Sequence, residues 1–174
     1  DSSFEGSGVL WSSILLTGLG LITHISTRES ERGTFELLKL SPISRYQLFL
    51  GRMAGSLILL WILSTIIILI YIVIFENQFG DNLGLAYLTV LVGCVGIAAV
   101  GTLAASTATP LHGGWMITSL FSIPILLFTV IEASIRATDS LILGGSDFEL
   151  AFMLLVLYNA VFVFGGAWLS EISD

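Results

Sequence analysis

The sequence predicts an all-α fold, a polytopic bundle of membrane-spanning helices. Hydrophobic residues make up 55% of the 174 residues and charged residues only 11%, and the mean hydropathy is +0.98. A soluble domain of this size needs more charge to cover its surface. Apolar segments close to the roughly 20 residues that cross a bilayer recur along the chain. They predict a single transmembrane domain with five spans, near residues 8–25, 53–75, 84–107, 115–135 and 149–169.

The first predicted span, residues 8–25, has Trp11 towards one end and His24 at the other. Tryptophan is frequent where a helix meets the membrane surface, so we expect Trp11 near the outer interface. His24 is interpreted as an interfacial or hydrogen-bonded residue at the inner end, and a metal or haem ligand is the alternative.

A polar segment, residues 26–52, follows the first span and holds five of the six basic residues. An excess of Lys and Arg is typical of cytoplasmic loops, so we expect this segment in the cytoplasm. Thr34 is expected to cap a short helix that carries the apolar run Phe35–Leu40. The serine–proline pair at residues 41–42 is expected to start a second helix, with residues 43–50 lying along the membrane surface.

Two interpretations of this polar segment remain open. In the first, it is a solvated loop whose charges only fix the topology. In the second, it is a docking element, because the run Phe35–Leu40 forms an apolar stripe framed by charge. Such a stripe is what a helix needs in order to bind in the groove of a partner protein.

Small residues in the second and third spans predict close helix packing. Glycine lets helix backbones approach each other in lipid, where apolar side chains gain little by leaving the acyl chains. The third span is therefore expected at the centre of the bundle, or alternatively along a transport pathway. The predicted packing glycines are Gly51, Gly55, Gly93, Gly96 and Gly101.

The fourth and fifth spans contain several polar residues with specific expectations. Pro124 is expected to kink the fourth span. Glu132 and Arg136 have the i, i+4 spacing of an ion pair at its outer end, with a substrate contact as the alternative. Asn159 is interpreted as a residue that hydrogen-bonds between helices. His112, in the turn before the fourth span, is interpreted as a loop residue because no acidic residue or cysteine neighbours it.

The topology of the chain predicts one further helix. Five spans that begin at the outer side leave the two termini on opposite sides of the membrane. The sequence starts at Asp1 and not at methionine, so we expect a domain of six helices of which the first is missing here. Both termini of that domain, and the segment 26–52, are expected on the cytoplasmic side.

Composition and motifs argue against several classes of function. Lys39 is the only lysine, and it does not lie in a GxxxxGK[ST] phosphate loop. HExxH and GxSxG motifs are also absent, so no catalytic site is predicted and the chain is not expected to be an enzyme. Cys94 is the only cysteine, which leaves no disulfide or zinc cluster to build. The net charge of −7 argues against a nucleic-acid partner.

The segment 28–42, RESERGTFELLKLSP, followed by Leu50-Gly51-Arg52, resembles the cytoplasmic segment shared by ABC-2-type membrane permeases. More closely, it is similar to the family of haem exporter permeases that belong to the cytochrome c maturation system. Residues 101–105, residues 112–114 and the span that contains Pro124 resemble the middle region of that family. The resemblance covers nearly all of the chain and departs from the family at the N-terminus.

The resemblance implies a permease that acts as a homodimer or pair with a separate cytoplasmic ATPase and a haem-handling membrane partner. It implies haem as the cargo and a location in the cytoplasmic membrane of a prokaryote or organelle. The only histidines, His24 and His112, are both expected on the inner side, so the chain itself is expected to hold no cofactor. An ABC-2-type exporter of lipid, polysaccharide or drug is the alternative within transport. A non-transporting membrane assembly protein is the alternative from another class.

The resemblance also implies which residues contact the ATPase. The contact lies in the segment that follows the first span. The implied contact residues are Arg28, Glu29, Arg32, Gly33, Thr34, Glu36, Leu37, Leu38, Ser41 and Pro42.

Overall fold

A computed structural model describes residues 2–31, 44–75, 79–108 and 127–172. These residues form five α-helices and no strand, which confirms the predicted all-α class. The helices are α1 (Ser2–Glu31), α2 (Arg45–Ile74), α3 (Leu83–Ala108), α4 (Glu132–Leu143) and α5 (Phe148–Ile172). A 3₁₀ turn, Gly80–Asn82, precedes α3, and a π-helical turn, Leu127–Ile131, leads into α4.

Four of the described helices are long and apolar enough to cross a membrane. The segment in α2 is the most apolar of them, with a mean hydropathy of 3.1. All four overlap with spans predicted from the sequence, and they identify a multi-pass membrane protein. Their limits are Gly6–Ile25, Tyr46–Ile74, Gly80–Ala105 and Phe148–Trp168.

The fourth predicted span is only partly described. Its first part, residues 115–126 with Pro124, lies outside the described residues, as does His112. The described remainder continues through the π-helical turn into α4 and ends at Leu143, beyond the predicted limit at residue 135. The helix does not end at the charged pair because Glu132 and Arg136 lie on its exposed face, where they form the predicted ion pair with an N–O distance of 2.6 Å.

The surface helix expected at residues 43–50 is wrong for the part that the structure describes. Residues from Arg45 onwards belong to α2, which continues without a break to Ile74. Phe49 is only 3% exposed because its ring packs inside the bundle. Burial of this side chain holds the first turns of α2 along the bundle, so they do not lie along the membrane plane.

Helix α3 lies at the centre of the described bundle and packs against each of the other four helices. A Cβ atom at Gly18 of α1 would lie 2.7 Å from Cγ2 of Ile97 in α3 and 3.4 Å from Cδ1 of Leu60 in α2. Contacts of this kind show that α1, α3 and α5 run in one direction and that α2 and α4 run in the other. The end at which α1 stops and α2 starts is called the loop end, and the opposite end is called the far end.

The outward faces of α2 and α5 are apolar. Apolar faces of this kind are compatible with contact to lipid. The most exposed of them are Ile58, Ile62, Leu69, Val73 and Ile74 in α2, and Leu150, Met153, Val161, Phe164 and Trp168 in α5.

Several hydroxyl groups inside the described helices are satisfied by their own backbone, whereas Oγ of Ser134 is buried without a partner. Thr17 donates to the carbonyl oxygen of Ser13 at 2.7 Å, and Thr89 donates to that of Leu85 at 2.9 Å. Such i to i−4 bonds remove the cost of placing a hydroxyl group in lipid or in a dry core.

Candidate functional site

The predicted coupling segment leaves the bundle at the loop end. Helix α1 continues past its apolar part, which ends at Ile25, and reaches Glu31. At about 1.5 Å per residue, its last six residues extend roughly 9 Å beyond the apolar part. Arg28 lies in this extension and is exposed. Glu29 belongs to the same helical turn.

The remaining predicted ATPase contacts lie outside the described residues. They belong to the stretch between the end of α1 and the start of α2. They are Arg32, Gly33, Thr34, Glu36, Leu37, Leu38, Ser41 and Pro42.

A capping box starts α2 directly after this stretch. The backbone N–H of Gln47 donates to Oγ of Ser44 at 3.3 Å, and the backbone N–H of Ser44 donates to Oε1 of Gln47 at 3.4 Å. The cap therefore lies at Ser44 and not at Ser41, where the serine–proline pair predicted it. The signal was available in the sequence, since Ser-x-x-Gln is the pattern of a capping box.

The first turns of α2 are fixed against α3 and α5. Phe49 and Met53 form a buried cluster with Ala98 and Ala99 of α3 and Ala167 of α5. The Phe49 ring also lies against Gly166, where a Cβ atom would come within 2.7 Å of it. The start of α2 is therefore anchored to the centre of the bundle.

A small cleft lies between α1, α2 and α3 at the loop end. Its volume of about 10 Å³ matches a single water molecule, so it has no room for a drug-sized ligand or a haem. Its lining combines apolar side chains with one guanidinium and two hydroxyl groups. The lining residues are Ile22, Ile25, Arg52, Ser56, Thr102 and Ala105.

Three of the predicted packing glycines make close helix contacts. A Cβ atom at Gly93 would collide with the ring of Trp11, and one at Gly101 would collide with Ile22. A Cβ atom at Gly96 would collide with Oδ1 of Asn159 and with Val130. Helices α1, α4 and α5 thus approach α3 only because these positions have no side chain.

The other two predicted packing glycines, Gly51 and Gly55, are exposed on α2. No atom lies within 4 Å of the position that a Cβ would take at either residue. They therefore do not mediate contacts within the described part of the chain. Close approach of another helix remains a prediction for them.

Asn159 connects α5 to α3, which confirms its predicted role between helices. Its Nδ2 donates to the backbone carbonyl of Val92 at 2.7 Å. Its Oδ1 has no hydrogen-bond partner and is buried against Gly96. A polar side chain in the bundle centre is favoured by this bond, since lipid supplies no alternative partner.

Trp11 is fully buried between α1, α3 and α4, with 0% exposure. Its Nε1 donates to Oγ1 of Thr138 at 2.9 Å, and Thr138 in turn donates to the carbonyl oxygen of Ser134. Contact with α3 and α4 therefore encloses the ring within the bundle, and its expected depth near the outer interface remains a prediction. Ser134 and Thr138 were not predicted from the sequence. The pattern that could have identified them is their spacing, which puts both on one face of an amphipathic helix.

Asp139 lies next to this contact, at the far end of the bundle. Burial raises the pKa of its carboxyl group, while a hydrogen bond with Ser7 of α1 lowers the pKa in part. Its Oδ1 is buried and has no hydrogen-bond partner. Tyr71 of α2 lies within range of its charge. The carboxyl group therefore connects α4 to α1.

His24 is exposed on α1. Across the ranges that the structure describes, no three His, Cys, Asp or Glu side chains come together in a way that could hold a metal ion. Cys94, the single cysteine, is buried in the core of α3.

Comparisons with known proteins identify the family of this chain. Residues 1–139 match the family described as "ABC-2 type transporter". The chain is 27% identical over 121 residues to proteins named "Probable multidrug ABC transporter permease YbhR" from Escherichia coli strain K12 and from Escherichia coli O157:H7. The matched region covers 69% of this chain and 33% of each relative, so the chain spans about one third of their length. No solved structure gives a significant match.

Proposed function

Because the chain belongs to the ABC-2 type transporter family, it is a component of a transporter membrane domain, and we propose that it is the permease of an exporter driven by a separate ATPase. The observation that carries this proposal is the family match over residues 1–139. The apolar outward faces of α2 and α5 support it, since a permease must be embedded in lipid. In this scheme the chain binds and moves the substrate, and its partner hydrolyses ATP.

Drug-like amphipathic molecules are the substrate class that we propose. Support comes from the relatives, whose names describe a multidrug permease. Neither the family description nor those names mention haem, so the exporter alternative replaces haem delivery in cytochrome c biogenesis as the main proposal. A non-transporting assembly protein also loses support, because the family is one of transporters.

We place the ATPase contact in the segment that links α1 to α2. Arg28 contributes an exposed positive charge at the base of this segment. The buried cluster of Phe49 and Met53 supports a coupling role, since it connects the end of the segment to α3 and α5. Glu36 and Leu37, which combine a charge with an apolar contact surface, are the central residues of the proposed contact.

A second permease chain is the further partner that we propose. Gly51 and Gly55 support this part of the proposal because they expose a flat surface on α2, where another helix backbone could pack. We also propose that residues 26–52 and the C-terminus lie on the cytoplasmic side of an inner membrane, and the excess of basic residues in 26–52 supports this orientation. A haem-handling partner is not required by an exporter of drug-like molecules.

The proposal is tested with the full-length protein and its ATPase reconstituted in liposomes. Efflux of a fluorescent amphipathic dye and ATP hydrolysis are measured in the same vesicles. We expect Glu36→Ala combined with Leu37→Ala to abolish dye movement and to remove the stimulation of the ATPase by dye. Asp147→Ala, at an exposed carboxylate in the far-end turn, is the matched control and keeps both activities.

Two results would contradict the proposal. If the unmodified complex moves no dye while its loss in cells removes covalently bound haem from a c-type cytochrome reporter, the cargo is haem and not a drug-like molecule. If the Glu36 and Leu37 variant keeps full dye-stimulated ATP hydrolysis, the ATPase contact lies elsewhere.

A further inference from the structure

The cleft at the loop end lies at the depth where two of the apolar helices end. On α1 it is lined by Ile22 and Ile25, and the apolar segment of that helix ends at Ile25. On α3 it is lined by Thr102 and Ala105, and the apolar segment there ends at Ala105. In a membrane, this depth is the boundary between the acyl chains and the lipid headgroups. The cleft therefore lies beside the headgroups of one leaflet.

The third side of the cleft is formed by α2, which contributes Arg52 and Ser56. The apolar segment of α2 begins at Tyr46, so Arg52 lies inside it, roughly 9 Å from its start. An arginine inside an apolar helix, close to the helix end, directs its long side chain towards the membrane surface. Arg52 is half-buried. It is the cation that the cleft presents to the headgroup region.

Charge is distributed unevenly between the two ends of the bundle. Residues 26–52 include five basic and three acidic residues, whereas the whole chain has a net charge of −7. The carboxylates whose side chains the structure describes all lie away from the loop end. A net positive segment beside an apolar surface is the combination that attracts anionic lipids. The described carboxylates are those of Asp81, Glu132, Asp139, Asp147 and Glu149.

A second arginine lies just beyond the cleft on α1. Arg28 is exposed and follows Ile25 by three residues, so the two residues are neighbours on the surface of the helix. The distance between them along the helix axis is about 4.5 Å. Arg28 therefore adds positive charge on the headgroup side of the cleft, while Arg52 supplies it at the cleft itself.

The size of the cleft suits one oxygen atom of a phosphate group. Its volume of about 10 Å³ holds a single group of the size of a water molecule. Arg52 also interacts within the protein, and a guanidinium has several N–H donors, which allow it to bind a phosphate at the same time. The rest of a headgroup would lie outside the cleft, on the side of Arg28.

The surface of α2 that follows Arg52 is suited to acyl chains. Leu59 and Ile66 follow Arg52 at intervals of seven residues, so the three residues share one face of the helix. Leu59 is 45% exposed and Ile66 is 50% exposed. A cation at the headgroup level followed by an exposed apolar face matches a ligand that has one phosphate and long apolar chains. A soluble phosphate would use only the first of these two features.

We propose that this cleft binds the phosphate group of an anionic phospholipid and that Arg52 is its principal ligand. One phosphate oxygen enters the cleft, and the acyl chains lie along Leu59 and Ile66. A zwitterionic lipid carries an ammonium group beside its phosphate, which Arg28 repels, so the site prefers anionic lipids. The bound lipid holds α2 against α1 and α3 at the loop end. Neither the transported substrate nor the ATPase is needed for this binding.

The experiment uses the full-length protein in nanodiscs with equal amounts of phosphatidylglycerol and phosphatidylcholine. Native mass spectrometry counts the lipids that stay bound when the protein is released. We expect preferential retention of phosphatidylglycerol, and Arg52→Gln should lower this retention by about tenfold through loss of a charge-assisted hydrogen bond. Arg52→Lys keeps the charge and should retain more than Arg52→Gln. Arg136→Gln removes an exposed arginine away from the loop end and is the matched control, with the retention of the parent protein.

Thermal unfolding of the unmodified protein gives a second readout that needs no variant. The unfolding temperature should be higher in phosphatidylglycerol than in phosphatidylcholine nanodiscs, and the difference should shrink at high salt. Inorganic phosphate added to the phosphatidylcholine nanodiscs distinguishes a lipid from a soluble anion, and it should have no effect.

Three results would overturn the proposal. The first is equal retention of the two lipids by the parent protein, and the second is unchanged retention of phosphatidylglycerol by Arg52→Gln. The third is an equal rise in unfolding temperature with inorganic phosphate and with phosphatidylglycerol, because the ligand would then be a soluble phosphate and not a lipid.

Discussion

The indole Nε1 of Trp11 donates a hydrogen bond to Oγ1 of Thr138 at 2.9 Å and thereby connects α1 to α4 across 127 positions in sequence. The bond is buried, and Trp11 covers Gly93 of α3 at the same point. Three helices are therefore positioned by one aromatic side chain. This contact lies between the bundle centre and the far end, next to Asp139.

The first prediction concerns Trp11. Trp11→Phe keeps most of the packing and loses the hydrogen bond, so we expect a loss of about 1 kcal/mol in the free energy of unfolding. Trp11→Ala also leaves a cavity and should cost about 3–5 kcal/mol. Unfolding in mixed micelles measures both values. Trp168→Phe, at a 65% exposed position, is the control and should leave the unfolding free energy within about 0.5 kcal/mol.

A double-mutant cycle with Thr138→Val isolates the Trp11–Thr138 bond. If Trp11→Phe costs the same in the Thr138→Val background as in the parent protein, the bond makes no contribution and the prediction is wrong.

The second prediction compares two glycines in apolar helices. A methyl group at Gly96 collides with Asn159 and Val130, so Gly96→Ala should lower the unfolding free energy by about 1–3 kcal/mol. Gly55→Ala is the matched control, since nothing lies within 4 Å of its Cβ position, and the bundle should tolerate it. Thermal unfolding in detergent measures both variants.

Combining Gly96→Ala with Asn159→Ala distinguishes a local collision from a general effect. We expect the second change to relieve part of the collision, so that the two costs do not add. Fully additive costs would show that the Asn159 side chain is not what limits the space at Gly96. Gly55→Ala has one further use, because a loss of self-association without a loss of stability would support the proposed contact with a second chain.

The third prediction concerns the start of α2. Ser44→Ala removes the acceptor for the N–H of Gln47 and should destabilise the first turn by about 1 kcal/mol. Hydrogen exchange at residues 45–48 should become faster, while exchange at the centre of α2 stays unchanged. Ser44→Asp also caps a helix and should restore slow exchange. Equal exchange in all three proteins would show that the capping box does not stabilise this turn.

The fourth prediction is the pH dependence of stability at Asp139. Burial raises the folded-state pKa above the unfolded value, so the folded protein keeps the proton of this carboxyl group up to a higher pH than the unfolded chain does. The contribution of this group to stability is present below the unfolded pKa of about 3.9 and is lost as the pH rises through the folded pKa. Asp139→Asn does not titrate and should escape that loss.

The corresponding measurement is the unfolding temperature of both proteins across the acid to neutral range. The difference, Asp139→Asn minus parent, should grow as the pH rises and then level off above the folded pKa. Asp147→Asn should show no such trend, because Asp147 is exposed. A difference that is constant with pH would mean that Asp139 titrates equally in the folded and unfolded states.

Much of the fold follows from segment composition. The apolar lengths predict four of the crossing helices, and the i, i+4 spacing of Glu132 and Arg136 predicts their ion pair. The predicted start of α2 is wrong for a local reason. A serine–proline pair and a serine–glutamine capping box compete within a few residues, and the second is the one that the structure uses at Ser44.

The sequence and the structure contribute different parts of the description of the candidate coupling site. Its apolar and charged pattern indicates a docking segment, and its resemblance to ABC-2-type permeases indicates the partner. The structure adds the anchorage of the following helix through Phe49 and Met53. That anchorage depends on Ala98 and Ala99 of α3, which lie far away in sequence and form no motif with Phe49.

Sequence alone establishes that this protein crosses a membrane several times and carries one polar segment between two spans. Transfer of an apolar segment into lipid depends on its own length and composition, so these features need no knowledge of neighbours. Helix packing in three dimensions was needed to show that Trp11 is buried on Gly93, that Asn159 bonds to Val92, and that Asp139 bonds to Ser7. In lipid every face of an apolar helix is tolerated, so rotation and register come from packing between helices, which no local pattern encodes.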